Sequence, residues 1–216
     1  MYEHLLSLQN KLAKKVIICP YKNNIRLIGG VDVSFERFSN TGFCSFVVLN
    51  KKFEIVEVKN VKLTVKMPYV PGLLSFRELP LIYQAYKKLS FKPDIVFCDS
   101  QGIAHSRGLG LASHLGVVLN IPVVGCAKSR LVGEYNIPGN KKGNYTYLKY
   151  RGENVGAVLI TKDNCKPMFI SPGHLIDIKT SILTVLKFTK KYKIPEPTRV
   201  AHILSNSFRR EDSNFY

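Results

Sequence analysis

The chain has 216 residues, 45% hydrophobic and 11% aromatic, which is enough apolar material for a packed core and too much for a disordered chain. Its 32 Lys and Arg outnumber 15 Asp and Glu, a formal net charge of +17. A surplus of that size points to a polyanionic partner, nucleic acid first and an anionic membrane second.

Met1 to Val16 places Leu5, Leu8, Leu12 and Val16 at helical spacing with lysines opposite, predicting an amphipathic helix. This segment lacks a continuous apolar core and a small-residue cleavage site, so it does not read as a signal peptide, and a cytoplasmic protein is expected. Leu27 to Phe35 is a strand with Ile28, Gly30, Asp32 and Ser34 on one face and Val31, Val33 and Phe35 on the other. Phe43–Leu49 and Phe53–Lys66 follow as strands, the first joined to the second through Asn50-Lys51-Lys52 as an antiparallel hairpin. A Pro/Gly loop at 68–72 leads into a helix over Phe76–Ser90. Strand Ile95–Cys98, helix Arg107–Val118 and strand Val123–Cys126 come next, the two strands unbroken and apolar like central ones buried on both faces.

Tyr145–Arg151 and Asn154–Thr161 read as a hairpin around Gly152, and helices over Asp177–Tyr192 and Glu196–Ser205 close the chain. The pattern predicts an α/β fold with a mixed sheet, three antiparallel strands followed by parallel strands, flanked by helices. No repeat or linker divides it, so one domain over residues 1–216 is expected, with its N-terminal helix within 1–17 and a frayed tail over 207–216.

Several common chemistries are excluded. Leu109 to Ala127 is interrupted by Ser113, His114, Asn120 and Pro122, which suits a helix, a turn and a strand rather than a membrane span. The five cysteines are odd in number, widely spaced and without a C-x-x-C pair, so reduced thiols are expected rather than disulfides or zinc ligands. Gly108-Leu-Gly110-Leu-Ala-Ser113 lacks the third glycine of a dinucleotide fingerprint, and no glycine-rich phosphate loop precedes Lys128-Ser129.

The acids are scarce, and three are conspicuous. Asp32 interrupts an apolar strand, where a carboxylate is costly unless it is paired, open to a cleft or bound to a metal. Asp99 ends the Ile95–Cys98 strand, at the edge where open α/β sheets bind ligands, although a turn aspartate also fits there. Two readings are open for Glu78. Ser75-Phe-Arg-Glu78 matches a capping box, and grouped with Asp32 and Asp99 it suggests a magnesium or manganese site. Carboxylates on a basic protein suit metal-assisted phosphodiester hydrolysis. Lys128, just past the next strand, is a candidate to reach a phosphate from the same edge. His105 and His202 rank below it, and His114 and His174 read as structural.

Seven collinear blocks then carry a family resemblance: Gly30-Val-Asp32-Val-Ser-Phe35, Met67-Pro-Tyr-Val-Pro-Gly-Leu-Leu-Ser-Phe-Arg-Glu78, Asp99-Ser-Gln-Gly102, Leu111-Ala-Ser-His-Leu-Gly116, Gly125-Cys-Ala-Lys-Ser-Arg-Leu131, Ser171-Pro-Gly-His174 and Pro195-Glu-Pro-Thr-Arg199. Together they resemble endonuclease V. The resemblance implies an RNase H-like fold and Mg²⁺-dependent nicking of DNA containing deoxyinosine, with Mn²⁺ as a substitute ion. Cleavage falls at the second phosphodiester 3′ of the lesion, leaves 3′-hydroxyl and 5′-phosphate ends, and initiates DNA repair. By the same resemblance, Asp32, Asp99 and Glu78 are the metal and catalytic carboxylates, Lys128 stands near the scissile phosphate and His202 beside the metal. The Pro68-Tyr69-Val70-Pro71 loop resembles the strand-separating wedge, and these four residues with Gly72, Gly102 and His105 are the expected nucleic-acid-binding set.

The wedge has a physical basis: two prolines restrict the loop, so Tyr69 is presented at low ordering cost to stack where a base has been extruded. The chain departs from the family pattern at Ser100, where glycine is expected, and at Ser106, where proline is. A serine at 100 matters where the backbone needs positive φ or close approach to the base. A monomer is expected. A ribonuclease of the same fold acting on inosine-containing RNA, and a catalytically silent nucleic-acid-binding protein, are the alternatives.

Overall fold

The structure, a computed structural model, describes residues 2–213. Its frame is an eight-stranded sheet in the order β3-β2-β1-β4-β5-β8-β7-β6. The elements run α1 (Glu3–Ala13), β1 (Leu27–Phe35), β2 (Thr41–Asn50), β3 (Ile55–Thr64), α2 (Leu74–Lys88), β4 (Ile95–Cys98), α3 (Leu111–Leu119) and β5 (Val123–Ala127). They continue with β6 (Tyr145–Tyr150), β7 (Glu153–Leu159), β8 (Met168–His174), α4 (Ile178–Lys187) and α5 (Glu196–Ser213).

β1 pairs antiparallel with β2 and parallel with β4, and β4 pairs parallel with β5, so the expected succession holds through the first five strands. β8 was not expected. It adds antiparallel to β5 and carries the β6–β7 hairpin on its far side. Pro172 and Gly173 make its sequence read as a turn, yet β8 is buried throughout. The strand accommodates them at a bulge, where Pro172 pairs with Val124 and His174 with Val123. The β6–β7 turn has Arg151 at φ 53° and Gly152 at φ 84°, the left-handed pair that a two-residue hairpin turn requires.

Other boundaries moved for local reasons. α3 starts at Leu111 rather than Arg107, because Gly108 at φ 69° and extended Gly110 precede it. α5 continues to Ser213, so residues 207–213 are helical rather than frayed; residues 214–216 of the expected tail lie outside the described residues. Among the described residues, no helix is long and apolar enough to cross a membrane.

The alternation of β1 sorts the layers. Val31, Val33 and Phe35 join the core under α2 and α3, while Ile28 joins the opposite core with Phe97, Val185 and Phe188. Gly30, Asp32 and Ser34 face α5. A Cβ at Gly30 would lie 2.0 Å from the Pro197 carbonyl oxygen, so the first turn of α5 rests directly on bare backbone. Gly30→Ala is therefore expected to lower unfolding free energy by about 3 kcal/mol through displacement of α5. Denaturant titration checks this, and an unchanged midpoint would contradict the packing.

Candidate active site

The register of β1 and β4 brings the two strand-borne acids together. Val31 pairs with Cys98, so Asp32, inside β1, and Asp99, just past the end of β4, are the next residues where the parallel pairing of the two strands stops. From the other layer, α5 supplies His202, whose Nδ1 lies 3.2 Å from Asp32 Oδ2, and buried Ser205, whose Oγ donates to the same oxygen at 2.5 Å. Among the described residues, Asp32, Asp99 and His202 form the one group of candidate metal ligands, with one ligand atom from each within 4.8 Å of the others.

Glu78 comes from α2, on the opposite side of the sheet from α5, and lines a cavity of about 80 Å³ together with Asp32 and Asp99. It stands outside the three-residue group, where the sequence grouped it with the two aspartates. The capping reading of Glu78 fails. α2 begins at Leu74, which puts Ser75 inside the helix, where its hydroxyl meets His114 Nδ1 at 3.0 Å.

Burial and, behind it, Asp99 hold Asp32 above the ordinary carboxylate range, against the opposing effects of Ser205 and His202. Burial, then Asp32 and Asp99, push Glu78 up to about 8, with Arg77 opposing. Two acids held up by burial and by neighbouring carboxylates in a half-buried pocket mark a place short of positive charge. Two carboxylates and an imidazole form a donor set that suits a small divalent cation.

Asp99 also faces a second space. Lys128 Nζ donates a hydrogen bond to Asp99, and both line a cavity of about 410 Å³ with Tyr69, Gly72, His105 and Leu109. Tyr69 is 65% exposed at the mouth, so it does not pack into the core. Its loop ends in a Pro71-Gly72 turn closed by the Leu73 N–H on the Val70 carbonyl, with Gly72 at φ 79°. Pro68 and Pro71 are exposed, and Val70 is half-buried.

One expected contact residue, Gly102, sits differently. Gly102 is buried away from this cavity; a Cβ there would lie 2.1 Å from the Pro172 oxygen, so close packing on β8 requires the glycine. Ser100 is outside the left-handed region, so its backbone does not need glycine, although its buried hydroxyl lacks a hydrogen-bond partner. Ser106 lines a separate surface cavity with Arg107 and Gly108.

His105 and His114 are buried, and burial lowers both to about 4, with Arg107 adding to the effect at His105. Each favours the fold as the neutral form, a contribution that is present above the ordinary value of 6.5 and lost as pH falls towards 4. Glu78 has the opposite sign over the same range, so the informative quantity is a difference between proteins. Between pH 7 and pH 5, wild type should lose about 2 kcal/mol relative to His114→Asn. Paired urea titrations measure this, and a pH-independent difference would contradict it.

Residues 10–203 match the family model for endonuclease V. The chain belongs to the endonuclease V family. The endonuclease V of Dictyoglomus turgidum is 48% identical over 204 residues, covering 94% of this chain and 89% of that protein. Among solved structures, Streptomyces avermitilis endonuclease V superposes with a TM-score of 0.94 at 34% identity, covering 99% of this chain and 95% of the other. Ciona intestinalis endonuclease V, solved with a 24mer DNA containing an inosine followed by a ribo-adenosine, has a TM-score of 0.86 at 26% identity. It covers 97% of this chain and 98% of its own. The fold is RNase H-like, and this endonuclease V family member is a phosphodiester hydrolase.

Sequence reasoning missed Ser205, which shares a helix face with His202 three residues earlier, a spacing that was readable. It also missed Gln9 and Arg107, which hold the Gly72 turn; nothing local marks either residue.

Proposed function

We propose that this member of the endonuclease V family nicks DNA containing deoxyinosine at the second phosphodiester 3′ of the lesion, leaving 3′-hydroxyl and 5′-phosphate ends, and so initiates repair of deaminated adenine. One observation carries the reading: Asp99 belongs both to the acidic group with Asp32 and His202 and to the 410 Å³ cavity that Tyr69 borders. A carboxylate centre and a space for a base thus share a wall.

Asp32, Asp99 and His202 would hold the cation, Mg²⁺ with Mn²⁺ as a substitute, and Glu78 adds a third carboxylate from the α2 side. When bound, such an ion supplies positive charge against the charge that builds on the phosphate, and makes water easier to deprotonate. Ser205 and His202 fix the rotamer of Asp32. Lys128, now paired with Asp99, exchanges that partner for a phosphate oxygen. Tyr69, on its proline-restricted loop, stacks in the space left by the extruded base, which the larger cavity accepts beside His105. Hypoxanthine pairs weakly, so its extrusion costs less than that of adenine. The lysine and arginine surplus binds the backbone, with a steep salt dependence. A monomer acting in the cytoplasm is part of the same proposal.

The Ciona relative's inosine is followed by a ribo-adenosine, and this favours inosine-containing RNA as a second reading. End-labelled DNA and RNA strands of one sequence, with inosine or adenine at one position, test both. A single inosine-dependent cut at the second 3′ linkage of the DNA is expected. A cut only in the RNA would transfer the reading to a ribonuclease, and cutting indifferent to inosine would overturn both.

A further inference from the structure

The helix α1 buries the wrong residue for an ordinary amphipathic helix. Its leucine spacing predicts a face of Leu5, Leu8 and Leu12, yet Leu8 is 42% exposed and the buried position is Gln9, at 0%. A buried amide is costly unless its hydrogen bonds are made, and here they are. Gln9 Nε2 donates to the Gly72 carbonyl at 3.0 Å and to the Leu109 carbonyl at 3.0 Å, and Oε1 accepts from Arg107 Nε at 2.5 Å. Arg107 Nη2 donates to the same Gly72 carbonyl at 2.8 Å. Gly72 and Leu109 both line the 410 Å³ cavity, and Gly72 ends the loop that carries Tyr69.

We infer that Gln9, acting with Arg107, is a positioning residue that locks the Tyr69 loop against the rest of the cavity, so that the N-terminal helix sets how rigidly the aromatic ring is presented. The reading of Tyr69 as the wedge underlies this inference. Two features of Gly72 make the lock specific. Its φ of 79° suits glycine, and a Cβ there would lie 2.6 Å from Arg107 Nη2, so any side chain at 72 would displace the guanidinium from its present seat on the turn. A loop ordered before binding loses less freedom when its ring stacks, which favours extrusion of the weakly paired base over a normal one. Gln9 touches none of the acidic residues in the hydrogen bonds it makes, so its effect is expected on base preference rather than on the chemical step.

The chain contains no tryptophan, so Tyr69→Trp introduces a single emitting indole at the loop tip. Adding Gln9→Met, which keeps length but cannot hydrogen-bond, should enlarge the fast component of the indole's anisotropy decay and its acrylamide quenching. Adding Val185→Ala, a core truncation in α4, should lower stability without either change. Unaltered anisotropy in the Gln9→Met protein would overturn the proposal. If that protein does not fold, Arg107→Met breaks the same lock from its other end and is read in the same way.

In nicking assays, Gln9→Met should reduce the inosine-to-adenine rate ratio about tenfold in wild type and by less than about twofold in a Tyr69→Ala background, as coupled residues do. Equal losses in the two backgrounds would overturn it. Absence of inosine preference in wild type would refute the wedge reading instead, and the anisotropy comparison would still decide whether Gln9 holds the loop.

Discussion

The Asp32→Asn protein is expected to bind inosine-containing DNA as tightly as wild type and to nick it about 10³-fold more slowly. Asparagine keeps the size of the side chain and an oxygen that can accept from Ser205, so the contact between α5 and β1 survives. The formal charge is lost from a group already held above the ordinary carboxylate range by burial and by Asp99. With that charge gone, Asp99 and His202 are left as the close pair for the cation. Affinity depends on the cationic surplus, which the substitution does not reduce. Single-turnover nicking with enzyme in excess separates the two quantities, and gel-shift titration in EDTA measures binding. A nicking rate within tenfold of wild type would remove Asp32 from the centre.

Tyr69→Ala acts on recognition instead. The ring is mostly exposed, so its removal should change unfolding free energy by less than about 0.5 kcal/mol. Stacking on a base is worth about 1–3 kcal/mol, so the inosine-to-adenine rate ratio should fall about 5- to 150-fold. The Mg²⁺ concentration needed for half-maximal nicking should stay the same, because Tyr69 lines the cavity on the far side of Asp99 from Asp32 and Glu78. Tyr69→Phe should retain the preference. An unchanged ratio in Tyr69→Ala would deny the loop any part in selecting the base.

The central strands and their acids were legible for one reason. Ile95–Cys98 and Leu27–Phe35 are apolar runs ended or interrupted by a single aspartate, and a charge in such a run needs a partner. Their grouping was expected, but the register that produces it, Val31 with Cys98 in parallel strands, is encoded by no local pattern. β8 escaped because Pro172 and Gly173 carry turn signals that only a bulge against β5 resolves. Ser75-Phe-Arg-Glu78 looked like a cap because the local pattern is right; the Pro71-Gly72 turn starts the helix two residues too early for it. Leucine spacing in α1 suggested an apolar face, and the tertiary partners Gly72, Leu109 and Arg107 selected Gln9 for burial instead. For the register, β8 and Gln9 the missing information was the identity of a distant neighbour; for the cap it was the geometry of the preceding turn.

The central claim is that the Asp32–Asp99–His202 group is a cation-dependent hydrolytic centre serving an inosine-containing strand. The most direct measurement is the nicking rate of the wild-type protein on two duplexes that differ only in inosine or adenine at one position, each in Mg²⁺ and in EDTA. Nicking of the inosine duplex in Mg²⁺, with the other three combinations near background, is the predicted result. Nicking of the inosine duplex that persists in EDTA would contradict the account.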